Sequence, residues 1–110
     1  MENPEHDRQA EYKEHRATWR DIELEIRHCH KWLPNTASPF VTQHIEIRSA
    51  DKRLLPITET GYRSHFLNGA EALADFDHDP VSFVLWWLDD AAKDFSWHRR
   101  EFENRQRDLF

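Results

Sequence analysis

Eight histidines and 21 acidic side chains in 110 residues are ample material for metal binding or proton transfer, so spacing decides whether any of it is organised. His28-Cys29-His30 puts two imidazoles two residues apart. On the helix expected here they point nearly opposite ways and cannot close on one ion. Cys29 falls on the apolar stripe of that helix and reads as a small core residue. Asp75, Asp77 and Asp79 imitate the start of a calcium loop. However, Pro80 stands where the sharp turn needs glycine, and Trp86 where a bidentate glutamate belongs. Ser64 and His65 are neighbours and would diverge on an extended segment, and no glycine-flanked serine elbow is present. Two glycines, Gly61 and Gly69, cannot build a phosphate cradle. The pattern therefore assigns no catalytic residue, no metal and no cofactor, and the expectation is a non-enzymatic protein. An enzyme acting on an anionic small molecule at Arg63, His65 and His44 is the lesser alternative.

Residues suited to binding are easier to find. Thr58 to Phe66 is dense in polar groups, with Gly61 able to take an unusual backbone angle, Arg63 a planar cation, and Tyr62 and Phe66 as flanking rings. The segment is either a recognition loop for a carboxylate or phosphate, or a strand exit whose Arg63 pairs with Glu59 or Glu46. Tyr62, Arg63 and Trp97 are the candidate aromatic and arginine anchors. Between Glu71 and Asp94 lie seven acids (Glu71, Asp75, Asp77, Asp79, Asp89, Asp90, Asp94) against one base, Lys93. Such a surface, with Asp89 and Asp90 at its centre, either imitates the phosphate row of nucleic acid or is a solvated helix face.

The chain ends Gln106-Arg107-Asp108-Leu109-Phe110. This resembles the pentapeptide by which bacterial polymerases and repair proteins dock on the DNA sliding clamp, with Arg107 departing from the usual leucine. The resemblance implies that Leu109 and Phe110 enter an apolar pocket while Gln106 and Asp108 meet its polar rim. The competing reading folds the two terminal apolar residues back onto the core.

Elements must position these groups. Tyr12, Trp19, Ile22, Ile26, Cys29 and Leu33 recur at helical steps, which predicts a helix over residues 5–33, stopped by Pro34 and packed on a sheet. Residues 34–40 form a loop. Val41, Gln43, Ile45 and Ile47 alternate with polar neighbours, as in a half-buried strand. After a polar turn at 49–53, residues 54–60 read as its hairpin partner, an edge strand by virtue of Pro56. Gly61 breaks that strand. Asn68 and Glu71 suggest a short helix over 69–76. Asp79-Pro80 opens a central apolar helix carrying Val81, Val84, Leu85, Leu88 and Ala92, which continues or restarts towards 105. The expected fold class is α+β: a small antiparallel β-hairpin or sheet packed against helices.

One domain spanning 1–110 is expected from the length, with about ten frayed N-terminal residues and a docking tail at 106–110. A net charge of −6 disfavours direct binding to DNA or an anionic membrane. The single cysteine fits a reducing compartment. No apolar run is long enough to span a bilayer and no secretory leader is apparent, so a cytoplasmic location is expected. The run Ile57-Thr58-Glu59-Thr60-Gly61-Tyr62-Arg63-Ser64-His65-Phe66, with the Trp-rich helix and the tail, is similar to small uncharacterised proteins of bacterial plasmids and integrative elements. The similarity covers about residues 40–110. It implies an accessory protein of a mobile element that antagonises host defence, as anti-CRISPR and antirestriction proteins do. The implied partner is a host protein or protein–nucleic-acid complex, namely a CRISPR effector, a restriction enzyme or the sliding clamp.

Overall fold

The computed structural model describes residues 11–32, 41–94 and 97. Four antiparallel strands, β1 (Lys13–Trp19), β2 (Ile22–Cys29), β3 (Thr42–Ser49) and β4 (Tyr62–Asn68), form a meander in the order β1-β2-β3-β4. Among the described residues a helix, α1 (Pro80–Ala91), crosses one face, and 3-10 turns occur at Ala50–Lys52 and Ala74–Phe76. The expected α+β architecture is the one observed.

Where a helix was expected over 5–33, the described part is a β-hairpin. The apolar residues that matter are Ile22, Leu24 and Ile26, all buried, alternating with Glu23, Glu25 and Arg27. That two-residue period is what a strand with one buried face requires. Trp19 pairs directly with Ile22, so only Arg20 and Asp21 close the loop. Both are left-handed, at φ 48° and 68°, the geometry of the two-residue turn whose twist suits a hairpin. β1 is so polar that only His15, Ala17 and Trp19 contribute to the inner side.

The expected strand over 54–60 is also corrected. β3 pairs instead with β4, from Thr42 opposite Asn68 to Arg48 opposite Tyr62. Residues 54–60 form a tight excursion closed by a Leu55–Thr58 bridge and pinned by Leu55, which is fully buried. Gly61 therefore opens a strand rather than ending one. Its φ of +79° is open to glycine at little cost, and a β-carbon there would lie 2.7 Å from both Lys52 Cα and Ser49 Oγ. The helix expected at 69–76 shrinks to the turn at Ala74–Phe76.

The Asp79-Pro80 signal holds. Asp79 caps α1, its carboxylate accepting from Val81 N–H at 3.0 Å and from the Ser82 hydroxyl at 2.8 Å. Phe83, Val84 and Leu88 of the helix, with Ala92 beyond it, meet Trp19, Ile22, Leu24, Ile26, Ile45 and Ile47 of the sheet in one core. The Trp19 indole N–H donates to Asp89 at 2.8 Å and fastens the hairpin to the helix. The expected N-terminal fraying, the loop at 34–40, the continuation of the helix towards 105 and the tail at 106–110 all lie outside the described residues.

Candidate functional site

With α1 on one side of the sheet, alternation sends every second strand residue to the other side, over which no described element packs. The register sets Glu14, Arg27, Glu46 and Ser64 in one row across the four strands. The adjoining row is Arg16, Glu25, Arg48 and Tyr62. Signs alternate along each row and between the rows, giving a checkerboard of charge. Arg27 lies between Glu46 (3.3 Å) and Glu14 (3.7 Å), and its guanidinium covers the Tyr12 ring at 4.4 Å. Arg48 covers Tyr62 in the same manner at 4.9 Å.

The next row is aromatic. His44 stacks on Phe66 at 4.4 Å between ring centres, and Trp32 meets Phe66 edge-on at 4.8 Å. His44 Nδ1 lies 2.5 Å from the Tyr12 hydroxyl and Nε2 lies 2.6 Å from Ser64 Oγ. A neutral imidazole satisfies both, using one N–H and one lone pair. Burial lowers the His44 pKa, although Glu46 opposes the shift. The 3.9 Å approach of Glu46 to Nδ1 is therefore contact with a neutral ring at pH 7, not an ion pair. Burial, followed by Glu46, likewise raises the Tyr12 hydroxyl. In the same row, opposite His44, Cys29 is fully buried, and burial pushes its thiol up, away from the nucleophilic thiolate.

Ser64, His44 and Glu46 together have the outline of a nucleophile, a base and an orienting carboxylate. The outline stops there. The stronger partner of Nδ1 is a tyrosine, Arg27 already engages Glu46, and neither cavity among those described includes Ser64 or His44. One cavity, of about 340 Å³, opens at the hairpin-turn end of this face between Arg16, Thr18, Glu23, Glu25 and Arg48. A second, of about 860 Å³, lies near the start of α1 and gathers His15, His28, His30 and His78 with Asp77 and Asp79. Despite that concentration, no group of three or more ligands among the described residues is arranged to hold a metal ion. His28 is committed elsewhere: its Nε2–H donates to Gln43 Oε1 at 2.7 Å, and Gln43 in turn donates to the Gly69 carbonyl at 2.9 Å.

The residues singled out from sequence are dispersed. Tyr62 and Arg63 do not share a loop: they are consecutive in β4 and face opposite sides, Tyr62 to the checkerboard and Arg63 to Trp87 at 5.5 Å. The expected pairing of Arg63 with Glu46 is thereby excluded, since Glu46 lies on the other face. Asp89 is engaged by Trp19, while Asp90 forms an exposed pair with Lys93 at 3.7 Å. Trp97 is buried at 3% exposure and packs against Trp19 at 6.1 Å, which makes it a core residue and removes it from the anchors. His65 lies on the helix side against Trp87, remote from the role considered beside His44. Gln106, Asp108, Leu109 and Phe110 lie outside the described residues. Sequence reasoning missed Tyr12, Arg27, Glu46 and Arg48; the alternation of Ile22, Leu24 and Ile26 was the signal that could have placed Arg27 on an outer face.

The model of the KlcB third domain matches residues 12–97, which takes in all four strands and α1. The chain belongs to the KlcB third-domain family. No curated protein and no solved structure matches it. The match begins at Tyr12, the first ring of the outer face, and ends at Trp97, the core indole against Trp19.

Proposed function

We propose that this KlcB-type domain is a non-enzymatic accessory protein that binds another protein through the outer face of its sheet. The carrying observation is the composition of that face: a checkerboard of Glu14, Arg27, Glu46, Arg16, Glu25 and Arg48 bordered by Tyr12, Trp32, Phe66 and Tyr62. Phe66 and Tyr62 are 47% and 38% exposed. Nucleic acid would favour a surface of one positive sign. Interleaved charge and arginine-stacked rings suit the rim and anchors of a protein interface. Membership of the KlcB third-domain family fits a plasmid-associated accessory protein. In that setting the partner is a host nucleic-acid defence machine, of CRISPR-effector or restriction-enzyme type. No described helix is long and apolar enough to cross a membrane.

Affinity capture from bacterial lysate, read by mass spectrometry, tests this. The wild-type chain is expected to enrich subunits of a defence nuclease, and Arg48→Glu with Tyr62→Ser to lose them while keeping its melting temperature. Identical captured sets for the two proteins would remove the outer face from the function. The same experiment addresses the terminal pentapeptide: enrichment of the sliding clamp, lost on deleting Leu109 and Phe110, would favour the clamp-docking reading.

A further inference from the structure

A four-stranded meander has two edges, and here they are treated differently. Gly69 N–H donates to the Val41 carbonyl at 2.6 Å and Ser49 N–H to the Gly61 carbonyl at 2.9 Å, so odd-numbered residues bond across the β3–β4 hairpin at both its ends. Alternation then turns the backbone groups of Arg63, His65 and Leu67 towards β3, and those of Tyr62, Ser64, Phe66 and Asn68 outwards. At Tyr62 the outward groups are taken. Its carbonyl accepts from Thr58 Oγ1 at 2.7 Å and its N–H donates to Thr60 Oγ1 at 3.4 Å. At the other end the strand stops at Gly69, which has φ +104°. Between these stops, Ser64, Phe66 and Asn68 offer three residues of backbone that no described strand pairs with.

Carried across the registers, the same parity turns Glu14, Arg16 and Thr18 outwards on β1. Charged side chains beside an edge discourage further pairing. β1 carries three, Lys13, Glu14 and Arg16, whereas β4 carries Arg63 alone, and the residues whose backbone groups face outwards there are serine, phenylalanine and asparagine. Among the described residues, the exposed large apolar side chains are Tyr62, Phe66 and Trp86. Two belong to β4, and the third adjoins Trp87, which packs on His65 of β4.

We propose that β4 pairs antiparallel with β4 of a second copy, about a two-fold axis at Phe66, joining two sheets into one. The occupant is indicated by the symmetry of the free stretch. Phe66 is its midpoint, so a two-fold there sets each ring beside its copy and Ser64 opposite Asn68 of the second copy, with no like charges facing. A two-fold perpendicular to the sheet also leaves both checkerboard faces on the same side, forming one doubled binding surface. This pairing is tested apart from the protein-binding reading, through the backbone amides of the edge, although Phe66 also borders the outer face.

Sedimentation of the full chain over a range of concentrations, with amide hydrogen exchange on the same samples, tests the pairing. The expected result is a reversible dimer in which Ser64, Phe66 and Asn68 amides slow by about tenfold or more as concentration rises, while Arg63, His65 and Leu67 are protected throughout. Phe66→Lys should weaken the dimer at least about tenfold, by placing two charges at the axis, and Glu14→Lys should leave it intact. A monomer at every concentration overturns the proposal. So does a dimer whose Ser64, Phe66 and Asn68 amides exchange freely.

Discussion

Gly61 shows most sharply how one residue type fixes the geometry of the outer face. It starts β4 at a left-handed angle, directly against Lys52 Cα and Ser49 Oγ. Neither the angle nor the space tolerates a side chain, so Gly61→Ala should lower stability by about 2–4 kcal/mol in urea unfolding. Little or no change would show that the 54–60 excursion does not hold the strand in place. The sequence made Gly61 conspicuous but not its role, because a left-handed glycine marks a strand's beginning as readily as its end. Asp79 was fully legible, since an aspartate before proline at the first helical turn has one common use. Trp97 was not: an indole in a charged segment reads as exposed until the core has room for it beside Trp19.

Among the elements, the β1–β2 hairpin was the least legible. Trp19, Ile22, Ile26 and Cys29 satisfy a helical period, and the same stretch contains the strand alternation Ile22, Leu24, Ile26. β1 adds almost no hydrophobic signal, and Arg20-Asp21 lacks the asparagine-glycine pair that usually announces such a turn. Tertiary pairing settles the conflict, because β2 is central in the sheet and buried against α1. The sign of one substitution distinguishes the two structures. Asp21→Gly relieves a residue at φ 68° and should raise stability by about 0.5 kcal/mol, whereas in a helix interior it would cost about 1 kcal/mol. The melting temperature of that variant checks which applies.

At the scale of the molecule, three wholly or partly buried histidines set the response to acid. His28, His44 and His65 all have pKa values lowered from 6.5, with burial the first cause in each. Their unfolded forms bind protons more readily than the folded ones. The stability they contribute is therefore complete above pH 6.5 and falls away as pH drops below it. Asp79, lowered chiefly by its bond with Ser82, adds a further loss below 3.8. The urea midpoint should fall between about pH 7.5 and about pH 5, before most carboxylates titrate. A flat profile would mean that these histidines are solvated in the folded state.

Two surfaces of this molecule compete as the means of binding: the outer face of the sheet and the acidic side of α1. Titrating a captured partner against paired variants decides between them most directly. Arg48→Glu with Tyr62→Ser should weaken binding by at least about tenfold, the loss of one or two interface anchors. Asp89→Lys with Asp90→Lys should change it little, apart from any loss of stability where Asp89 holds Trp19. Unchanged affinity for the first variant and abolished affinity for the second, with both still folded, would contradict binding through the sheet.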